Sequence, residues 1–165
     1  MAGHIRRANE GDITLLADLI RCSFRDVANR FKITPENCPT HPSNCTYEWV
    51  ENSLKKGTEF YILSEDAVPV GCVALERASR DVYYMERLAV LPEFRDHGYG
   101  RALVDYCFSQ ARLRMAKRVE AGIIADQIEL VEWYRRLGFR FKQRARFHNL
   151  PFPVAFMYHN LATEV

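Results

Sequence analysis

The chain has 165 residues, of which 48% are hydrophobic, and this is enough apolar side chain to build a core without disulfide bonds or a metal ion. We therefore expect one domain over residues 1–165. The 23 lysines and arginines nearly balance the 21 aspartates and glutamates, so the formal net charge is only +2. This balance excludes a general electrostatic attraction to nucleic acid or to an anionic membrane.

No segment of the sequence has the pattern of a secretion signal or a membrane-spanning helix. The first residues, MAGHIRRANEGDITLL, lack the apolar run of a signal peptide, and charges interrupt every stretch long enough to cross a bilayer. The five cysteines are an odd number without framework spacing, which is typical of reduced thiols. We expect a cytoplasmic protein with no membrane and no nucleic-acid partner.

The first third of the chain predicts a strand and two helices around a proline-rich loop. A strand over residues 4–8 leads to Asp12, an N-cap followed by apolar residues at helical spacing. These apolar residues are Ile13, Leu16, Ala17, Ile20, Phe24 and Val27. Three prolines in residues 33–45 exclude a helix or a central strand there. Thr46 then caps a second helix, which Gly57 ends.

The rest of the chain predicts strands and two further helices. Short polar connections join EFYILS, VPVGCVALE and VYYMERLAV, as is typical of antiparallel neighbours. A helix after RDHGYG crosses over, so the next strand, RVEAGII, should run parallel to the one before it. A helix over residues 128–137 and the strand pair FRFKQRA and PVAFMYHNL follow. We predict a mixed α/β (α+β) fold with a mostly antiparallel sheet of about seven strands and four helices.

The loop RDHGYG, residues 95–100, has the pattern of an anion site. It follows a strand and opens a helix, so free backbone N–H groups face outward at the positive end of the helix dipole. Gly98 and Gly100 allow the backbone to approach a phosphate closely, and Arg95 adds a forked, charged donor. This chemistry suits a diphosphate.

Other interpretations of this loop remain at this stage. An ordinary glycine-containing turn between a strand and a helix could have the same sequence pattern. The loop lacks the first glycine of the Rossmann pattern and lies after several antiparallel strands, and no Lys-Ser or Lys-Thr follows, as a Walker loop requires.

The wider sequence favours the diphosphate interpretation through a family resemblance. RLAVLPEFRDHGYGRALVDY, residues 87–106, closely resembles the acetyl-CoA-binding segment of the GNAT superfamily of N-acetyltransferases. QIELVEWYRRLGF, residues 127–139, resembles the second signature of that family. Residues 1–58 match in layout alone. The resemblance implies one N-acetyltransferase domain over residues 1–165, in which strands four and five are parallel and splayed apart.

The same resemblance implies which residues contact acetyl-CoA, the acyl donor. The backbone of the fourth strand should bond to the pantetheine arm, and the loop should hold the diphosphate. The implied contacts are Leu88, Ala89, Val90, Arg95, Asp96, His97, Gly98, Tyr99, Gly100, Arg101 and Gln127. Two of them depart from the family pattern, since Gln127 stands where many members have Asn and Asp96 where many have Gly.

Catalysis is expected to need a general acid and a general base. Tyr134 occupies the tyrosine position of the second signature, which implies a hydroxyl close to the sulfur of coenzyme A; the alternative is a core tyrosine. Glu86 is the preferred base because alternation along the strand places it on one face with Tyr84, Leu88 and Val90. The alternative role for Glu86 is a salt bridge with a neighbouring arginine.

Several further candidates stay unranked by the sequence. Glu76, Glu120, His41 and His148 are weaker candidates for the base. Cys38, His41 and Cys45 have the residue types of zinc ligands but only three donors, so we expect no metal. Residues 31–45, Tyr47 and residues 147–153 are expected to select the acceptor.

Three functions are compatible with these patterns. The one that we expect is an enzyme that transfers an acetyl group from acetyl-CoA to a small-molecule amine by direct attack in a ternary complex. The second is acetylation of a protein N-terminus or lysine, and the third is a coenzyme A-binding module without turnover. Many members of the family pair as dimers, so a homodimer stays open.

Overall fold

The computed structural model describes residues 3–161. They form a seven-stranded sheet in the order β1-β2-β3-β4-β5-β7-β6. The strands are β1 (His4–Arg7), β2 (Glu59–Glu65), β3 (Val68–Arg77), β4 (Val82–Val90), β5 (Arg118–Ile124), β6 (Arg140–Ala145) and β7 (Val154–Asn160). Neighbouring strands are antiparallel except β4 and β5, which are parallel. The predicted mixed, mostly antiparallel sheet is therefore confirmed.

The helices follow the predicted order with one interruption. They are α1 (Ile13–Ser23), α2 (Arg25–Arg30), α3 (Tyr47–Lys55), α4 (Tyr99–Leu113) and α5 (Ile128–Arg136). The sequence predicted one helix through Phe24, but that residue has φ −102° and ψ 4°, which breaks the helix in two. With α1 and α2 counted as one interrupted helix, the described residues contain the four predicted helices.

Apolar side chains cover both faces of the sheet. On one face, Leu103 and Cys107 of α4 pack against buried residues of β3, β4 and β5, and Tyr134 of α5 joins the same cluster. On the other face, Leu16 of α1 and Val50 of α3 pack against β2 and β3. Each fully buried side chain of this size contributes about 1.5–3 kcal/mol, so the two layers hold the helices firmly to the sheet.

β4 and β5 separate after a short paired region. They are joined at Val82↔Arg118, Tyr83↔Val119 and Tyr84↔Glu120, and no residue of β4 beyond Tyr84 pairs with β5 within residues 3–161. The remaining lengths of the two strands diverge. This confirms the predicted parallel, splayed pair.

A β-bulge in β4 accompanies this separation. Glu86 lies opposite Ala74 and Ala89 lies opposite Cys72, so β4 uses one more residue than β3 over this stretch. Arg87 at the bulge has φ +49°, in the left-handed region.

The bulge corrects one prediction about Glu86. Leu88 packs with Met85 in the cluster on the α4 face, whereas Glu86 pairs with Ala74, which belongs to the cluster under α1 and α3. Glu86 therefore shares a face with Tyr84, as predicted, but not with Leu88 and Val90. The sequence prediction assumed unbroken alternation, and the extra residue reverses it.

Gly71 tests how tightly β3 and β4 pack beside the bulge. A Cβ at Gly71 would lie 2.5 Å from the Ala89 carbonyl oxygen, which belongs to the backbone and cannot turn away. We expect Gly71→Ala to lower the free energy of unfolding by about 1–3 kcal/mol, measured by urea denaturation.

Gly122→Ala in β5 is the matched control. Its Cβ would first meet the side chain of Val154, at 3.3 Å, and that side chain can adjust. Equal losses of stability in the two variants would contradict the close approach at Gly71.

Candidate active site

The N-terminus of α4 presents free backbone donors. Asp96 and Gly98 both adopt left-handed conformations, with φ +64° and +84°, and turn the chain into the helix. No side chain caps α4, and the Ala102 N–H bonds back to the Gly98 carbonyl oxygen at 3.1 Å. Within residues 3–161, the N–H groups of residues 98–101 have no hydrogen-bond acceptor. Four amides therefore remain at the positive end of the helix dipole.

A cavity of about 520 Å³, the first cavity, lies at this helix end. The end of β4, the loop, α4 and α5 form most of its wall, and the α1–α2 junction forms the rest. All the residues predicted to contact the acyl donor line it except His97: Leu88, Ala89, Val90, Arg95, Asp96, Gly98, Tyr99, Gly100, Arg101 and Gln127.

His97 does not line the first cavity. Its Nδ1 lies 2.6 Å from the Arg95 carbonyl oxygen, and its ring stacks on Tyr99 with the centroids 5.9 Å apart. Because a carbonyl oxygen only accepts, Nδ1 carries the proton in this bond. The side chain stabilises the loop from outside.

Arg95 holds the protein together rather than offering a free fork. Nη2 donates to the Ser23 carbonyl oxygen at 2.7 Å, Nη1 donates to Asp26 at 2.5 Å, and Nε donates to the Val90 carbonyl oxygen at 3.1 Å. Burial alone would raise the pKa of Asp26, but the bonds from Arg95 outweigh it and lower that pKa. The sequence predicted an anion donor here, and that role stays a prediction; the structure shows that Arg95 joins β4 to the α1–α2 junction.

The α1–α2 side of the cavity is not predicted by any pattern in the sequence. Ser23, Phe24, Asp26, Val27 and Arg30 line it. Arg30 also forms an ion pair with Glu129 of α5, which lies on the far side of the same cavity. The Ser23 hydroxyl is buried without a partner among the described residues. No motif marks these positions, since they reach the cavity through contacts distant in sequence.

Tyr134 lies behind the cavity wall. It is 6% exposed and packs against Phe139 and Trp133, with ring centroids 5.1 Å and 5.4 Å away. Trp133 lines the first cavity, and Tyr134 is not part of the lining. Burial raises the pKa of Tyr134 far above its ordinary value. The phenol is therefore held in its protonated form, as a proton donor must be.

A second cavity of about 430 Å³ lies at the opening between β4 and β5. Glu86 and Tyr84 of β4 line it on one side, and Glu120 and Gly122 of β5 line it on the other. The rest of the wall is formed by Met85 of β4, Ala121 of β5, Lys142 and Gln143 of β6 and Phe156 of β7. Glu86 is thus in the second cavity and not in the first.

Glu86 is partly ionised at neutral pH. Burial and, to a lesser extent, the nearby Glu76 together raise the pKa of Glu86 to about 7, although Arg87 opposes this rise. Arg87 Nη1 donates to Glu86 Oε2 at 2.7 Å. The salt bridge that the sequence offered as the alternative role for Glu86 is therefore present, and its role as a base stays a prediction.

The weaker base candidates have other partners or lie elsewhere. Glu120 accepts hydrogen bonds from Lys142 at 3.1 Å and Arg118 at 3.2 Å. Burial lowers the pKa of His41 to about 4, and its Nδ1 lies 2.7 Å from the Ser43 hydroxyl. His148 is exposed and outside both cavities.

The two segments predicted to select the acceptor pack against each other. The His41 ring lies 5.8 Å from the ring of Phe24 and 6.3 Å from that of Phe152. Cys38 is buried in the same cluster as Phe152. In the described part of the chain, no group of three or more His, Cys, Asp or Glu side chains is arranged to hold a metal ion, and no helix has the length and apolarity to span a membrane.

Comparison with known proteins gives a consistent result. Residues 17–139 match the Acetyltransferase (GNAT) family. The sequence is 31% identical over 137 residues, 82% of this chain, to the amino-acid acetyltransferase of Neisseria meningitidis. The match spans 27% of that protein, so the chain covers about a quarter of its length.

Solved structures share the fold. N-acetylglutamate synthase from Neisseria gonorrhoeae, complexed with coenzyme A and N-acetyl-glutamate, aligns with a TM-score of 0.71 at 26% identity over 99% of this chain and 36% of that one. An acetyltransferase of the GNAT family from Staphylococcus aureus Mu50 aligns with a TM-score of 0.75 at 22% identity over 98% of this chain and all of that one. With the family match over residues 17–139, these findings show that the chain belongs to the acetyltransferase (GNAT) family.

Proposed function

We propose that this chain is an acetyl-CoA-dependent N-acetyltransferase whose acceptor is the amine of a small molecule, with an α-amino acid as the favoured class. The acyl group passes by direct attack in a ternary complex, and residues 1–165 act as one acetyltransferase domain. The observation that carries the proposal is the row of unpartnered N–H groups at residues 98–101, which faces a cavity of about 520 Å³. The names of the two neisserial relatives support the amino-acid class.

The α4 end of the first cavity fits a diphosphate. A Cβ at Gly98 would meet no atom within 4 Å, and φ +84° there disfavours any residue with a Cβ. The space beside the free amides is therefore open to an anion. Arg101 is exposed at the same rim, and its guanidinium adds positive charge.

The unpaired length of β4 fits the extended arm of the donor. Past Tyr84, the edge of β4 that faces β5 has no strand partner among residues 3–161, while its other edge is bonded to β3. Backbone groups left without a partner are costly to bury, so a ligand with amide groups stabilises this gap by pairing with them. Leu88, Ala89 and Val90 supply that edge at the first cavity.

The reaction needs three contributions from the chain. The bound acyl donor supplies a thioester carbonyl that an amine can attack. Glu86 accepts the proton of the attacking nitrogen, and backbone N–H groups near residues 88–90 stabilise the negative charge that develops on the carbonyl oxygen. As the C–N bond forms and the C–S bond breaks, Tyr134 donates a proton to the leaving thiolate.

An acetyl-CoA turnover assay tests the proposed function. Thiol release is measured across a panel of α-amino acids, aliphatic amines and peptides. We expect release with at least one α-amino acid. Release with peptides alone would favour protein acetylation, and binding of coenzyme A without release on any acceptor would contradict the enzyme assignment.

Tyr134→Phe tests the general acid. Because the hydroxyl is expected to act on the leaving thiolate and not in binding, we expect kcat to fall by up to about 10²–10⁴-fold with little change in coenzyme A affinity. Steady-state kinetics and calorimetric titration measure the two effects. Tyr106→Phe, in the same core cluster, controls for loss of a tyrosine hydroxyl. Unchanged turnover in Tyr134→Phe would remove this residue from the mechanism.

The pH dependence of turnover tests Glu86. A base must be ionised, and burial raises the pKa of Glu86 to about 7, so kcat/KM should fall about tenfold per pH unit below that value. We expect Glu86→Gln to abolish this acid limb and to lower kcat/KM by about 10²–10⁴-fold. Glu132→Gln, on exposed α5 surface, is the control. A full acid limb in Glu86→Gln would show that another group titrates.

A further inference from the structure

Glu86 belongs to a cluster of side chains that the proposed reaction does not otherwise use. Arg87 binds Glu86 Oε2 through Nη1 at 2.7 Å, and the Arg87 guanidinium lies over the Trp49 ring, 4.3 Å from its centroid. The side chains of Arg87 and Glu86 are 16% and 27% exposed. A charge-assisted bond in such a sheltered place is stronger than a surface ion pair. Arg87 is thus held by an aromatic ring on one side and by a carboxylate on the other.

The bulge makes this contact available. In a regular strand, neighbouring residues point to opposite faces of the sheet and do not meet. Arg87 has φ +49°, and β4 has one more residue than β3 between Glu86 and Ala89. The two side chains therefore reach the same face. The left-handed backbone conformation is costly for a residue with a Cβ, so the surrounding structure must hold Arg87 in it beside Glu86.

Glu76 approaches Glu86 from the neighbouring strand. Glu76 pairs with Tyr84, and Glu86 pairs with Ala74, so the two carboxyl groups are diagonal neighbours on one face. Two carboxylates at this spacing repel each other, and a proton on one of them relieves the repulsion. Glu76 therefore raises the pKa of Glu86, and Arg87 lowers it.

The other groups around Glu86 are neutral or already paired. Across the second cavity, Glu120 is bound by Lys142 and Arg118. On the α3 side, burial raises the pKa of Cys45 to about 11 and that of Cys72 to about 12, so both thiols near Arg87 are uncharged at neutral pH.

We propose that Arg87 and Glu76 are positioning residues for Glu86, and that Trp49 holds Arg87 in place for this purpose. This inference rests on the proposed function for the role of Glu86 as a base. Arg87 donates to Oε2, and Oε1 accepts no hydrogen bond from an N–H group of the described residues, so Oε1 is the oxygen that we assign to the proton transfer. In the proton transfer, an N–H bond of the acceptor breaks and an O–H bond forms at Oε1. Glu76 makes the resulting acid easier to form.

Carbon-13 NMR of protein labelled at the glutamate carboxyl carbons tests this directly. The Glu86 signal is assigned from its loss in Glu86→Gln. We expect Glu76→Gln to lower the pKa of Glu86 by about one pH unit and Arg87→Gln to raise it by about one. Changes in the same direction, or changes below about 0.3 pH unit in both variants, would overturn the proposal.

Matched variants separate positioning from general damage. Arg77→Gln removes an exposed arginine at the end of β3 and should leave the pKa of Glu86 unchanged. Arg87→Lys keeps the charge and an unbranched side chain, so the pKa of Glu86 in this variant should stay close to its value in the unchanged protein. Trp49→Leu should change the pKa of Glu86 in the same direction as Arg87→Gln, whereas Trp49→Phe keeps an aromatic face and should change it less.

Turnover measurements then distinguish the two proposals. The acid limb of kcat/KM, measured with acetyl-CoA and the acceptor that releases most thiol, should move with the pKa of Glu86. If Glu86→Gln keeps full turnover, the base assignment is wrong. If Glu86→Gln loses turnover while Glu76→Gln and Arg87→Gln leave the limb in place, Glu86 remains the base and the positioning role is wrong.

Discussion

The bulge at Arg87 shapes the centre of this protein. One extra residue in β4 changes which side chains face which helix, and it lies just past Tyr84, where β4 and β5 begin to separate. The separation leaves backbone groups of β4 available along the first cavity and opens the second cavity beside Glu86. Gly71 of β3 allows β3 and β4 to stay close beside the bulge, since its missing side chain makes room for the Ala89 carbonyl group. The bulge thus lies between Glu86, which lines the second cavity, and the end of β4, which lines the first.

The donor side depends more on backbone than on side chains. The amides at the start of α4 need only the left-handed turns at Asp96 and Gly98 to face the cavity. Arg95, the most prominent cation of the loop, is bonded to Ser23 and Asp26 and closes the α1–α2 wall. Backbone donors keep their positions without any cost in side-chain entropy, which suits recognition of a diphosphate.

The proposed acid and base lie in different environments on the two faces of the sheet. Tyr134 is buried in the cluster under α4, where burial raises its pKa and keeps the phenol neutral. Glu86 faces the second cavity, where burial raises its pKa to about 7 and Arg87 limits that rise. The proposed reaction starts from this difference, since Tyr134 must carry a proton that it can give to the thiolate and Glu86 must be ionised to take one from the amine.

The sequence by itself determined the order of strands and helices, the parallel β4–β5 pair and the loop that begins α4, because alternation, helical spacing and glycine positions are local signals. Only the tertiary structure decided the face of Glu86, the partners of Arg95 and the α1–α2 wall of the cavity. The Arg95–Asp26 bond joins residues 69 positions apart, and no local pattern encodes such a contact. The bulge likewise depends on the register between β3 and β4, which side-chain alternation within one strand does not reveal.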